Sequence, residues 1–178
     1  MALNSSIHKV NLHISNMDIH YYEQHLLTIA KHPSETDQRL MVRLLVFALY
    51  ATENLEFVDN ISNQDEPALC IKDMTGAFDL WIEVGIVDEN KIRKACHKAK
   101  KVVLITYGSK ADHWWKKNSR DFVKKNNLEV INLPYDATSL LANMVDKKIE
   151  ITCHIEDGHV LVASDETNVE VVPVILHK

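Results

Sequence analysis

The stretch from residue 79 to residue 133 constrains the fold of this chain more than any other. Val102 to Thr106 is a continuous run of Val, Leu, Ile and Thr, and Leu128 to Leu133 is a second short run of similar character. Such runs are expected of strands covered on both faces. Helical patterns separate them. Asp88 is a natural N-cap for a helix through about 99, with Ile92, Ala95, Cys96 and Ala99 on one face. A lysine-rich helix at about 111–125 follows the first run. Strands alternating with helices of this length cannot be hairpins. They imply right-handed crossovers and a parallel sheet, hence an α/β fold.

The remaining segments fit around that core. Residues 6–14 alternate, with Ile7, Lys9, Asn11 and His13 opposed to His8, Val10, Leu12 and Ile14, and read as a strand. Residues 23–31 read as a second strand, ended by His32-Pro33. A helix is expected over 34–52, with Ser34 as N-cap and Asp37 three residues on. Residues 68–73 and 78–84 form a hairpin around Met74-Thr75-Gly76-Ala77, and 135–145 a short helix. Residues 148–156, 159–164 and 169–176 read as antiparallel strands, with Asp157-Gly158 as the first turn. The expected architecture is one mixed central sheet flanked by helices, with antiparallel C-terminal strands, in a single domain over residues 1–178.

Composition agrees with a folded domain. Only 4 Gly and 4 Pro occur among 178 residues, and 46% are hydrophobic, which excludes linker-like and collagen-like chains. No apolar run approaches a membrane span. Met1-Ala2-Leu3-Asn4-Ser5-Ser6 shows no basic segment followed by an apolar one, so no signal peptide is expected. Cys70, Cys96 and Cys153 are odd in number and far apart, which suggests a reducing, cytoplasmic setting.

Charge is unevenly placed. Residues 91–125 hold 12 of the 20 basic residues against only Asp112 and Asp121, so this segment is +10 and the remainder −15. Such a segment suits an anionic partner such as nucleic acid, although two helices with lysines on their solvent faces give the same pattern. Ten histidines occur, but no HExxH or paired CxxC spacing. His113-Trp114-Trp115 beside Lys116 and Lys117 could stack on bases, although a Trp at helical spacing also fits a core. Cys96 falls on a buried helix face and should be inert. No Gly-rich phosphate loop is present.

The strand Phe78-Asp79-Leu80-Trp81-Ile82-Glu83-Val84-Gly85 carries two acids. Alternation puts Phe78, Leu80, Ile82 and Val84 on one face and Asp79, Trp81, Glu83 and Gly85 on the other. Carboxylates in such a place must be solvated, paired or metal-bound. Asp79 and Glu83 are roughly 13 Å apart along a regular strand, so only a bulge or other residues would complete an ion site. The hairpin register places Lys72 opposite Asp79, which offers an ion pair as the plainer reading. Glu35 stands in the first turn of the long helix, where the dipole favours a carboxylate. On the helical wheel of the following helix Lys91 flanks the buried face, whereas Lys94 points toward solvent.

His32-Pro33-Ser34-Glu35-Thr36, Asp79-Leu80-Trp81-Ile82-Glu83, Gly85, Ile92-Arg93-Lys94-Ala95-Cys96 and Thr106-Tyr107 resemble the bacterial YaeQ family. The opening Met1-Ala2-Leu3 and the C-terminal hairpin are similar too, so the resemblance spans nearly the whole chain. That family is regarded as a compact variant of the PD-(D/E)XK nuclease-like superfamily, whose members cut or process nucleic acid with Mg²⁺ or Mn²⁺. The resemblance implies a restriction-endonuclease-like core, with Asp79 and Glu83 as the two motif acids and Glu35 as the helix acid. The superfamily's lysine, two residues after the second acid, is Gly85 here, and the two acids are unusually close in sequence. The family match makes Lys94 the relocated lysine, whereas the wheel favours Lys91.

Two functions are therefore expected. One is a metal-dependent nuclease or phosphodiesterase-like protein: Glu35, Asp79 and Glu83 hold Mg²⁺ or Mn²⁺, and Lys94 or Lys91 stabilises charge on the phosphate. The other is a catalytically inactive binding module on the same fold, working in transcription or DNA repair. In the first, residues 91–125 steer the nucleic-acid backbone; the module contacts nucleic acid or a component of the transcription or repair machinery, and a plainer third reading is an accessory protein with no nucleic-acid role.

Overall fold

The computed structural model describes residues 4–58 and 65–178. Met1, Ala2 and Leu3 of the opening motif lie outside the described residues. The elements in chain order are β1 (Ser6–Asn16), β2 (Tyr21–Lys31), α1 (Asp37–Leu49), β3 (Glu56–Phe57), β4 (Leu69–Lys72), β5 (Phe78–Val84), α2 (Glu89–Lys98), β6 (Ala99–Thr106), α3 (Ala111–Phe122), β7 (Leu128–Asn132), α4 (Tyr135–Leu141), β8 (Lys148–Glu156), β9 (His159–Ala163), β10 (Asn168–Val171) and β11 (Val174–His177). A 3₁₀ turn at Ala142–Met144 extends α4. The strands form two mixed sheets, not the single central sheet expected. Two compact units result, one of residues Met1–Ala51 with Asp136–Pro173, the other of Thr52–Tyr135 with Val174–Lys178. Among the described residues no helix is long and apolar enough to cross a membrane.

The first unit contains the five-stranded sheet, in the order β10-β9-β8-β1-β2. β1 pairs antiparallel with β2 and parallel with β8, while β8, β9 and β10 form the antiparallel meander expected of the tail. The alternation of β1 is realised: Val10, Leu12 and Ile14 are buried, and Ile7, Lys9 and His13 are exposed. Leu40 to Ala48 of α1 are buried without interruption, including Arg43. The N-cap of α1 is Thr36, not Ser34, because the Thr36 hydroxyl accepts from the Arg39 amide at 3.1 Å. Ser34 is held instead by the ring of His32, at 2.6 Å.

The second unit contains the six-stranded sheet, in the order β11-β7-β6-β5-β4-β3. β5, β6 and β7 run parallel, joined through α2 and α3, as the alternation of runs required. The expected last strand, 169–176, is two strands. They break around Pro173, which has no N–H to donate, and β11 crosses to pair with β7 in this unit. The helical layer rests on one core of Trp81, Ile92, Ala95, Val102, Leu104, Phe122 and Val130. α2 and α3 thus share one face of the sheet.

A β-bulge reshapes β5 at the acidic motif. Ile71 pairs with Leu80 and Lys72 with Phe78, which leaves Asp79 as the extra residue. The expected Lys72–Asp79 pairing is therefore replaced. Lys72 lies over the Phe78 ring, 5.2 Å from its centroid. The bulge also breaks alternation, so Phe78 packs edge-on against Trp81 at 4.8 Å rather than on the opposite face.

Candidate functional site

Within the second unit, the carboxylate of Glu83 is the best-enclosed acid of the motif. It stands near the C-terminal end of β5 and is 2% exposed. The Trp81 indole N–H, two residues earlier on the same face, donates to Glu83 Oε1 at 2.8 Å. Lys91 Nζ approaches the same oxygen at 2.9 Å. Asp88 caps α2 by accepting from the Asn90 amide, which starts the helix where Lys91 overhangs β5. Burial strengthens both contacts and makes the loss of either costly. Lys94 is elsewhere, on the exposed side of α2 with Asp65 at 3.2 Å. That hydrogen bond, then the charges of Lys94 and Lys98, hold the Asp65 carboxyl below its usual range.

Gly85 follows at the strand end with φ +102°, a conformation that L side chains rarely adopt. A side chain added there would also meet Tyr107 at 3.8 Å. Any L side chain at this position is thus strained. The ammonium beside Glu83 comes from α2. On the neighbouring parallel strands, Thr106 donates to Asn132 Oδ1 at 2.9 Å, at the same end of the sheet.

Asp79 is engaged differently. Its side chain is 40% exposed, and Lys100 Nζ lies 2.5 Å from Oδ1. The hydrogen bond and charge of Asp79, with a lesser contribution from Asp73, raise the Lys100 pKa above its usual value.

Glu35 belongs to the first unit. It precedes α1 rather than lying in its first turn, so an ion cluster takes the place of the expected dipole contact. Arg39 Nη1 reaches Oε1 at 2.7 Å, and Arg43 Nη1 lies 3.1 Å from Oε2. The Glu35 and Arg43 side chains are fully buried. The motif His32-Pro33-Ser34-Glu35-Thr36 builds this arrangement: the Glu35 amide bonds the His32 carbonyl at 2.8 Å, and Thr36 caps the helix behind it. The spacing of Glu35 to Arg39 and Arg43, four and eight residues on, was a readable signal.

Each motif acid is thus engaged by a cation. Among the described residues no group of three or more His, Cys, Asp and Glu side chains is arranged to hold a metal ion. An ion at Glu83 or Asp79 would compete with Lys91 or Lys100. The donor set in this conformation does not fit Mg²⁺ or Mn²⁺.

Ten of the twelve basic residues of the segment fall into two groups. Lys91, Lys94, Lys100, Lys101 and Lys124 form ion pairs with acids. Arg93 and Lys98 on α2, with Lys116, Lys117 and Arg120 on α3, are exposed on the helices that share one face of the sheet. Trp114 and Trp115 pack against Phe122 at 5.4 and 6.5 Å, as core-packed rings rather than free stacking platforms. Cys96 is partly buried beside the same core, and burial raises its thiol pKa.

The sequence model of the YaeQ protein family matches residues 1–173. The chain is 36% identical over 172 residues to the YaeQ protein of Escherichia coli (strain K12), covering 96% of this chain and 95% of that one. It is 34% identical, with the same coverage, to that of Salmonella typhi. The crystal structure of the YaeQ protein from Xanthomonas axonopodis pv. citri superposes with a TM-score of 0.94 at 43% identity, covering 97% of this chain and 98% of the other. That of the Pseudomonas syringae protein gives 0.93 at 32% identity, with coverage of 98% and 97%. The family model and these relatives show that the chain belongs to the YaeQ family.

Proposed function

We propose that this chain is a nucleic-acid-binding module, with the outer surface of α2 and α3 as its binding face. The observation that carries this reading is the placement of exposed Arg93, Lys98, Lys116, Lys117 and Arg120 on two helices that pack over one shared core. Cations on a shared helical layer suit phosphates along a backbone, and their contribution is independent of base sequence. The motif acids then serve the fold. Glu83 locks α2 onto β5 through Lys91, Glu35 neutralises Arg43, and Asp79 steadies the bulge through Lys100. The test is fluorescence anisotropy with labelled single-stranded DNA, duplex DNA and RNA. The expected result is binding by the parent and at least tenfold weaker binding by Lys116→Glu/Lys117→Glu. No binding by folded parent protein would contradict it.

A second reading, of a nuclease in the PD-(D/E)XK superfamily with a restriction-endonuclease-like core, rests on a different observation. The ammonium that the superfamily pattern requires beside the second acid is supplied by Lys91, 2.9 Å from Glu83. In that reading Glu83 and Asp79 would hold Mg²⁺ or Mn²⁺ in place of Lys91 and Lys100. The deciding experiment is incubation of mixed DNA and RNA with Mn²⁺, beside Glu83→Gln and Asp79→Asn. Cleavage by the parent and by neither variant would establish it. No cleavage by a parent that binds nucleic acid leaves the module reading standing.

A further inference from the structure

We infer that the free edge of β2 is a self-association surface, pairing antiparallel with β2 of a second copy of this chain. Among the described residues β2 is the terminal strand of the five-stranded sheet, and its eleven residues pair with β1 without a register shift. The Lys9 amide bonds the Lys147 carbonyl and the Met17 amide bonds that of Ile155, so odd-numbered β1 residues direct their backbone groups to β8. Even-numbered β1 residues therefore bond to odd-numbered β2 residues, in the register Val10 to Leu27. The N–H and C=O groups of Tyr22, Gln24, Leu26, Thr28 and Ala30 are left pointing outward along the edge.

Natural edge strands are usually blunted by charge, proline or a bulge. From Gln24 to Ala30 this edge has no Lys, Arg, Asp, Glu, Pro or Gly. Leu26, at its midpoint, is 80% exposed, and Tyr22 is 51% exposed. Pairing about Leu26 uses the whole strand. Leu26 then faces Leu26 of the second copy, Gln24 faces Thr28 and Tyr22 faces Ala30. Every outward-pointing residue meets another, for roughly ten backbone hydrogen bonds. No like charges oppose each other in this register. Glu23 lies diagonal to Lys31 of the other copy, twice across the twofold axis, so Lys31, which pairs with Asp37 of its own chain, would be shared between two carboxylates. An unrelated peptide has no such symmetry to match.

The test is the mass of the full chain by light scattering after size exclusion, from micromolar to hundreds of micromolar. The expected result is a species of about twice 20.4 kDa. Leu26→Lys sets two ammonium groups face to face. Thr28→Pro removes an outward N–H and leaves the β1 ladder intact. Each is expected to raise the dimer dissociation constant on the order of 100-fold, with circular dichroism of the monomer unchanged. Leu26→Cys supplies an independent readout, because directly opposed residues stand within disulfide reach. Rapid cross-linking of that variant on addition of diamide as two-electron oxidant, absent in the parent, is expected. A parent that stays monomeric throughout, dimers that persist in folded Leu26→Lys and Thr28→Pro, or a Leu26→Cys variant that does not cross-link would each overturn the proposal.

Discussion

Lys91 and Glu83 meet at 2.9 Å over the end of β5, and the Trp81 indole completes the contact at 2.8 Å on the same oxygen. A buried carboxylate deprived of its cation is a large perturbation, here moderated because Lys91 is itself 21% exposed. Lys91→Met should destabilise the protein by about 2 kcal/mol in urea unfolding. Glu83→Gln in that background should recover part of the loss, because the pair is coupled. Additive losses from the two changes would show that the contact carries little energy.

Gly85 ends β5 in a backbone conformation that only glycine adopts freely. At φ +102° a side chain costs about 1–2 kcal/mol, so Gly85→Lys should lower stability by that amount. Stability equal to the parent would mean that the strand end relaxes freely, and the strain assigned to this position would be lost.

Two hydroxyls precede α1, and only one caps it. Thr36→Ala should cost about 1 kcal/mol, whereas Ser34→Ala, which disturbs only the His32 turn, should cost clearly less. Equal losses in thermal unfolding would return the cap to the earlier position.

Burial pushes the Cys153 thiol up to about 12. A raised thiol pKa keeps the thiolate scarce at every pH below that value. Cys153 should therefore resist a thiol reagent at pH 8 until the chain unfolds, and native labelling should fall on the half-buried Cys96 before Cys153. Peptide mapping after timed labelling checks the order.

The parallel β5–β7 core was legible because apolar runs, caps and helical faces agreed there. Asp88 caps α2, and the helical wheel singles out Lys91 as the inward reach. The bulge was not legible. A single extra residue at Asp79 moves Lys72 onto Phe78 and turns Phe78 toward Trp81, and nothing in local composition marks it. The split of the strands into two sheets also escaped, because alternation gives a strand's faces and not its neighbours. Glu35 was legible as an acid, but the helix starts two residues later than expected, at the Thr36 cap. Its arginines lay in plain sight at helical spacing, but a charged residue amid the apolar run of α1 reads first as a solvent-facing break.

The central claim is that the α2–α3 surface engages a phosphate backbone, and its salt dependence is the most direct measurement. Binding of a labelled oligonucleotide should weaken linearly in log–log form as salt rises from about 50 to 200 mM, with a slope of roughly −2 to −4 for several neutralised phosphates. Lys116→Ala should flatten that slope by about one, and so should Arg120→Ala. Binding that ignores salt, or slopes unchanged by both substitutions, would contradict the assignment of this surface.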